Sequence, residues 1–213
     1  LVDTTQYVKK QWQNRNRVKL SNGNVHWLSI PVKTRGRFDQ RINEVEIKDG
    51  TNWRKDHRRT LEFNYKKCPF FDAFYPRFEA LLSRPWGRLA DYNIAVIRTC
   101  FDVLGIDTEI SLASELAVEG RNNDLILDIC RKTGCDAYLH GMHARDYVDF
   151  SYLQSHGVKS LIQDYQPQEY EQPWGGFAGN LAGLDVIFNC GPGSLDVICR
   201  GNKITAAEPV SST

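Results

Sequence analysis

The chain of 213 residues is long enough for one sizeable hydrophobic core, and its 41% hydrophobic and 25% charged residues are typical of a soluble globular protein. No window approaches the roughly eighteen continuous apolar residues of a membrane span, and six scattered cysteines without a CxxC pair argue against a disulfide scaffold. No basic segment followed by an apolar stretch opens the sequence, so we expect a cytoplasmic protein with reduced thiols.

The charge is unevenly distributed along the chain. Net charge is only +1, but residues 1–67 hold 16 Lys and Arg against 7 Asp and Glu. Such a basic end attracts an anionic ligand, for example a phosphate, a sugar nucleotide or RNA. Solvated faces of a hairpin and a helix would give the same distribution, so both interpretations stay open.

The first predicted element is a β-hairpin at Asn22-Gly23, the strongest short-range hairpin signal in the sequence. A two-residue turn there pairs RNRVKL with VHWLSIPV. This register sets Val18 opposite Trp27 on the same face as Asn16, and it directs the basic side chains to the other face. INEVEI alternates in the same way and predicts a further short strand.

The apolar spacing becomes helical from Asn52 and predicts three helices, the last of which ends at Gly105. Beyond Gly105, strands alternate with helices, which favours βαβ units with parallel pairing. The predicted strands are IDTEISLASEL, DAYLHG and VKSLIQDY, and the predicted helices are GRNNDLILDICRKTG, DYVDFSYLQSHG and NLAGLDVIFN, the last with Asn180 as its N-cap.

These elements predict an α/β fold in a single domain over residues 1–200. Within it we expect a hairpin region over residues 1–50, a helical segment over 51–105 and a βα half over 106–200 with a Rossmann-like parallel sheet. Residues 201–213 are expected to form a flexible tail. The segment QPQEYEQPWGGFAG, rich in Pro, Gly and aromatic residues, is either a binding loop or a covering lid.

Two asparagines in the hairpin are the first candidate binding residues. Asn14 and Asn16 share a strand face with Val18, and a buried amide without a partner costs about 1–3 kcal/mol. Either they point into a cleft where substrate hydroxyls or a phosphate bind them, or they bond to neighbouring backbone. Arg15 and Arg17 would flank such a cleft.

A second candidate group lies in HGMHARDY, where a predicted strand ends and a helix begins. Ligands of α/β folds gather at the carboxyl ends of strands, and a helix N-terminus favours an anion. His140 and His143 are therefore candidates for proton transfer with Asp146, and Arg145 for binding a phosphate or carboxylate. Ordinary loop histidines with Asp146 as a cap are the alternative. The HxxH spacing is not that of a helical metal pair, so no metal site is predicted.

Further candidates are scattered along the second half. Arg121 lies in a loop before a helix and could reach a ligand phosphate, although surface capping is the safer interpretation. Tyr170 and Trp174 of the aromatic segment could stack on a ring of the substrate, and Asn180 is a further candidate for substrate binding. The phosphate-binding loops GxGxxG and GxxxxGK[ST] are absent from the sequence, which argues against P-loop ATP hydrolysis.

An ordered set of segments resembles one known family. TTQYVKKQWQNRNRV, INEVEI, WRKDHRRTLEFNYKKCPFFD, LGIDTEISLASEL, GRNNDLILDICRKTGCDAYLHG and FAGNLAGLDVIFNCGP are together similar to the WbqC-like family of bacterial proteins. The resemblance runs from about Asp3 to Gly191 and implies a role in O-antigen or other surface-polysaccharide biosynthesis. An opening segment of the form MQPxYxPWxGYF, usual in that family, is not found in this sequence.

The resemblance and the residues together predict a transferase that modifies a nucleotide-activated or lipid-linked sugar. The expected partner is an anionic small molecule such as a sugar nucleotide. We expect the polar side chains of the hairpin and those of HGMHARDY to converge on one positively charged site for it. No other cofactor is identified, and nucleic acid is not favoured, because the aromatic interleaving of RNA-binding modules is not evident. The alternative is a non-catalytic binding or scaffold protein of the same pathway that uses its basic N-terminal face.

Overall fold

The structure, a computed structural model, describes residues 1–48 and 50–207. These residues form helices and two sheets, one of which mixes parallel and antiparallel strands, so the predicted mixed α/β class is confirmed. They group into two compact units. We call the described residues within Asp3–Glu109 and Pro167–Ile198 the hairpin unit, and the described residues within Leu1–Val2, Ile110–Gln166 and Cys199–Thr213 the sheet unit. The single domain over residues 1–200 stays a prediction.

The helices and strands follow one another along the chain from the hairpin to the last strand of the sheet unit. They are β1 (Arg15–Lys19), β2 (Val25–Ser29), α1 (Trp53–Tyr65), α2 (Phe71–Ser83), α3 (Leu89–Leu104), α4 (Asn123–Thr133), β3 (Ala137–Gly141), α5 (Phe150–Ser155), β4 (Lys159–Tyr165), α6 (Gly183–Cys190), α7 (Ser194–Arg200) and β5 (Asn202–Ala206).

The hairpin forms where the sequence predicts it, but its register differs by one residue. The N–H of Gly23 donates to the carbonyl of Leu20 at 2.9 Å, and Gly23 has φ +82°, so the loop has three residues and ends in the left-handed conformation. Val18 therefore pairs with His26 rather than Trp27. A one-residue shift turns every side chain of β2 to the other face, which moves Trp27 to the side of the arginines.

The core of the hairpin unit is built on helix α1. Trp53, His57, Leu61 and Tyr65 follow at intervals of four residues and are all buried. The ring of Phe188, from α6, packs 5.7 Å from that of Tyr65 and also contacts aromatic rings of α2. These contacts hold α1, α2 and α6 together around one aromatic cluster.

A buried carboxylate links three parts of the hairpin unit. Asp185 of α6 is 1% exposed. Its Oδ2 accepts from the Tyr65 hydroxyl at 2.7 Å, and its Oδ1 accepts from the Tyr170 hydroxyl at 2.6 Å. The Gln172 amide donates to the same Oδ1 at 2.9 Å. Short charge-assisted contacts of this kind offset the cost of burying the carboxylate.

A buried ammonium completes this network. Lys19 of β1 is 2% exposed, and its Nζ donates to the carbonyl oxygens of Gly175 and Gly176 at 2.6 and 2.5 Å. It also donates to Gln172 Oε1 at 3.3 Å, so one amide bridges the ammonium and the Asp185 carboxylate. The aromatic segment predicted as a loop or lid is thus fastened to both β1 and α6.

The sheet unit contains three strands in the order β3-β4-β5. Strands β3 and β4 are parallel, as predicted, and β5 is antiparallel to β4. Phe150 of α5 packs on Ile162 of β4 in its core. The Rossmann-like arrangement of this half stays a prediction.

Several sequence predictions need correction. Residues 202–206, assigned to a flexible tail, form β5 because they pair with β4, while residues 208–213 lie outside the described part. The segment IDTEISLASEL forms no strand. INEVEI begins with a 3₁₀ turn over Ile42–Glu44, because the Glu44 carboxylate accepts from the Arg41 N–H and closes a capping box.

Within the described ranges, no helix has the length and apolar character needed to cross a membrane.

Replacing the buried carboxylate tests how much the network contributes. We expect Asp185→Asn to lower the free energy of unfolding by about 3 kcal/mol, because an amide leaves the hydroxyl and amide donors around it without their charged acceptor. Urea denaturation measures the change. Asp196→Asn, an exposed change in α7, is the matched control, and equal midpoints for the two variants would contradict the prediction.

Candidate functional site

A cavity with a volume of about 440 Å³, a size typical of small-molecule sites, lies in the hairpin unit between the hairpin and its helices. Its walls come from β1, β2, the three helices α1–α3 and the start of α6. Most of the lining is aliphatic or aromatic. It includes Val18, Leu28, Ile30, Leu61, Phe78, Leu82, Val96, Ile97 and Phe101.

Amide side chains form a polar edge of this cavity. Asn14 Nδ2 donates to the carbonyl of Ile30 at 2.9 Å, but its Oδ1 is buried and has no hydrogen-bond partner among the described residues. Asn16 also lines the cavity, and Asn93 donates to the carbonyl of Gln13 at 2.8 Å. A buried carbonyl oxygen without a partner costs about 1–3 kcal/mol, which a hydroxyl or N–H of a ligand would recover.

Two arginines and two tryptophans stand beside the polar edge. The Arg15 guanidinium lies 4.0 Å from the centre of the Trp27 ring, and that of Arg17 lies 5.0 Å from the centre of the Trp12 ring. The two indole rings are 4.8 Å apart. Arg15 and Trp12 line the cavity, and Trp12 is 53% exposed. We call these four residues the Arg–Trp cluster.

Arg17 also binds the chain just before α6. Its Nε and Nη2 donate to the carbonyl of Asn180 at 3.1 and 2.7 Å. The prediction of Asn180 as an N-cap is wrong, since α6 begins at Gly183 and Ala182 is its N-cap. Asn180 itself has φ +56° and an exposed side chain. The backbone carbonyl of Asn180, and not its side chain, therefore contacts the Arg–Trp cluster.

His57 is a site residue that the sequence analysis missed. Its ring lines the cavity, and Nε2–H donates to the carbonyl of Ser29 at 3.1 Å. Burial lowers the pKa of this imidazole to about 4, so the ring is neutral at pH 7 and Nδ1 keeps a lone pair. Its spacing of four from Trp53 and Leu61 could have placed it on the buried face of α1.

The other groups that line the cavity are weak nucleophiles. Burial raises the pKa of the Cys100 thiol to about 11, so it is not a thiolate at neutral pH. Among the described residues that line the cavity, none is Asp or Glu. The arrangement favours binding of an anion with an apolar body, with His57 as the group able to accept a proton.

The predicted catalytic residues lie in the sheet unit and differ in environment. His140 is 4% exposed, hydrogen-bonded to Ser160 Oγ at 3.2 Å and packed against the rings of Tyr138 and Phe150. Burial lowers the pKa of its imidazole. Its surroundings are those of a core histidine.

His143 and Asp146 are on the surface of the sheet unit. Nδ1 of His143 is 4.0 Å from the Asp146 carboxylate, and the His143 side chain is 85% exposed. They lie in a 3₁₀ turn over Met142–Asp146 that follows β3, as the sequence predicts for a strand end. Arg121 and Arg145 of the same unit are exposed.

The hairpin and the segment around residue 140 belong to different units. The expectation that both supply one site stays a prediction.

Two more predicted binding residues are held by internal contacts. Tyr170 donates its hydroxyl to Asp185, and Trp174 Nε1 donates to the carbonyl of Asn64 at 2.8 Å. Burial and the nearby Asp185 carboxylate raise the pKa of the Tyr170 hydroxyl. Neither residue is part of the cavity lining. In the described part of the chain, no group of three or more His, Cys, Asp or Glu could hold a metal ion.

Comparisons with known proteins place the chain in a family. The model of the WbqC-like protein family matches residues 1–197. An uncharacterized protein of Mycobacterium tuberculosis, Rv1507c, is 33% identical over 207 residues, which cover 94% of this chain and 87% of the relative. No solved structure matches the chain with significance. The chain, with its hairpin and the cavity behind it, belongs to the WbqC-like protein family.

Proposed function

We propose that this WbqC-like protein is a transferase that acts on a nucleotide-activated or lipid-linked sugar in bacterial glycan assembly, with the cavity of the hairpin unit as its substrate site. The observation that carries the proposal is the buried Asn14 Oδ1, which has no partner among the described residues and belongs to a side chain that lines the same cavity as Arg15. Activated sugars supply both hydroxyl donors and phosphate charge, which match these two groups.

Different polar groups bind different parts of the substrate. Arg15 and Arg17 bind the phosphate, since a guanidinium presents several N–H donors in a fixed plane. Asn14 and Asn16 bind sugar hydroxyls at the polar edge. The exposed indole of Trp12 offers a flat apolar face on which a sugar or base ring stacks.

Proton transfer is assigned to a histidine. His57 is neutral at pH 7 and lines the cavity, so it is in the right protonation state to accept a proton from a substrate hydroxyl. A bound phosphate nearby favours the protonated imidazole and raises its basicity. The exposed His143–Asp146 pair of the sheet unit is the competing assignment.

The absence of Asp and Glu from the described cavity lining favours a second candidate function. A carboxylate is a common general base in enzymes, and a site without one suits a protein that binds the activated sugar without reacting with it. Binding and transfer are therefore tested separately.

Binding is tested with two asparagines of the same hairpin. We expect Asn16→Ala to remove at least half of the rise in melting temperature that UDP-glucose or farnesyl phosphate produces, because Asn16 lines the cavity. Asn24→Ala, an exposed change beside the turn, is the matched control and should leave the rise intact. Equal shifts for both variants would place the ligand elsewhere.

Transfer is tested with two histidines. The purified chain is incubated with a bacterial extract, and mass spectrometry follows sugar nucleotides and lipid-linked sugars for an added group. We expect His57→Gln to reduce the modified product at least 100-fold, since glutamine can still donate to the Ser29 carbonyl but cannot accept the proton. His143→Ala should retain activity, and the reverse pattern would assign the proton transfer to the sheet unit. No modified product with wild type would favour the binding function.

A further inference from the structure

We infer that the cavity takes the hydrocarbon chain of a lipid phosphate, with the phosphate on the Arg–Trp cluster, so that the lipid-linked form of the sugar is the substrate. The inference rests on the proposed function in placing the substrate in this cavity. It goes further by choosing one of the two activated forms and by assigning separate regions to the chain and the phosphate.

The cavity wall is largely hydrocarbon. Helix α2 contributes Phe78 and Leu82, and helix α3 contributes Val96, Ile97 and Phe101. The amides lie along one edge, so most of the surface offers no hydrogen bond. The base, ribose and sugar of a sugar nucleotide would leave polar groups unpaired there, which is unfavourable, whereas a hydrocarbon chain leaves none. Each methylene that is buried tightens binding about fourfold.

Helix α3 is less buried than a helix with so many apolar residues is expected to be. Its only fully buried residues are Leu89 and Ala90, at the first turn, although the sequence LADYNIAVIRTCFDVL is largely apolar. Val96 and Ile97 line the cavity and remain partly exposed. A hydrocarbon chain in the cavity would remove this surface from water, which is the largest favourable contribution to binding of an apolar group.

Positive charge collects at the polar edge of the cavity. Residues 4–38 contain no Asp or Glu, and the guanidinium groups of Arg15 and Arg17 lie over neighbouring indole rings. Arg15 Nε is buried without a hydrogen-bond partner among the described residues, and it belongs to a side chain that lines the cavity. A phosphate at the polar edge would accept from an N–H of this guanidinium group. Cationic and apolar regions adjoin, which is the pattern that an anionic amphiphile requires.

The test is a chain-length series measured by isothermal titration calorimetry on the full chain. Octyl, decyl and dodecyl phosphate are titrated below their micelle concentrations, with inorganic phosphate and UDP-glucose as the polar probes. We expect Kd to fall at least tenfold for each two added methylenes. Farnesyl phosphate, with the same main-chain length as dodecyl phosphate, distinguishes an isoprenoid carrier from a straight-chain lipid. Wild-type binding without chain-length dependence would overturn the inference.

Three variants locate the two parts of the ligand. Val96→Phe fills part of the cavity and should weaken the binding of dodecyl phosphate at least tenfold, while the binding of inorganic phosphate is unaffected. If Val96→Phe does not fold, Ile97→Phe is used in its place. Arg15→Gln should weaken the binding of every phosphate probe about tenfold, because the phosphate loses a charged donor. Arg35→Gln, an exposed change outside the cavity lining, is the matched control. Chain-length dependence that survives in the folded cavity variant would place the chain elsewhere and overturn the inference.

Failure of this inference and failure of the proposed function give different results. Chain-length dependence without any sugar transfer supports the lipid site and counts against the transferase. Transfer on a sugar nucleotide, with no affinity for alkyl phosphates, supports the transferase and overturns the lipid site. Tight binding of single-stranded RNA that alkyl phosphates do not displace would assign the basic region to nucleic acid, and it would also overturn the inference.

Discussion

The buried carboxylate of Asp185 is the group on which the hairpin unit depends. A charge that is 1% exposed is tolerated only when donors surround it, and here two tyrosine hydroxyls and the Gln172 amide do so. The same amide accepts from Lys19, so the two buried charges are joined through one side chain. Because these donors come from α1 and from the aromatic segment, removing the charge would leave several distant parts of the chain without a common partner.

This network also determines where the cavity wall lies. The backbone N–H of Lys19 donates to the Tyr65 hydroxyl at 2.8 Å, which holds β1 against α1. The N–H of Ala182 donates to the carbonyl of Arg17 at 2.8 Å, which joins the start of α6 to the same strand. Side chains of β1 alternate between the two faces, so the strand that carries Lys19 into the network turns Val18 and Asn16 toward the cavity. The polar interior and the cavity are thus two faces of one strand.

The sequence predicts the local elements well and their partners poorly. Helices α3 and α4 end at Gly105 and Gly134 in the left-handed conformation, as helical spacing followed by glycine indicates. The hairpin register was wrong because Asn-Gly fits a two-residue turn and also the end of a three-residue loop. The contacts of Asp185 could not be predicted, since Tyr65 lies 120 residues away in the chain. His57 was missed for a different reason: charged residues on both sides of it conceal its spacing of four from Trp53 and Leu61, which is the signal of the buried helix face.

An anion bound in the cavity would change the basicity of His57, the proposed proton acceptor. An imidazole whose pKa is about 4 is a weak base, because burial disfavours its charged form. A phosphate near this buried ring would raise the imidazole pKa more than it would in water, because charges interact more strongly where solvent is excluded. A hydrocarbon chain that fills the cavity would exclude more water and strengthen this interaction further. Under the proposed function, a phosphate bound in the cavity would therefore raise the pKa of His57 and make the ring a stronger proton acceptor, without any carboxylate in the described cavity lining.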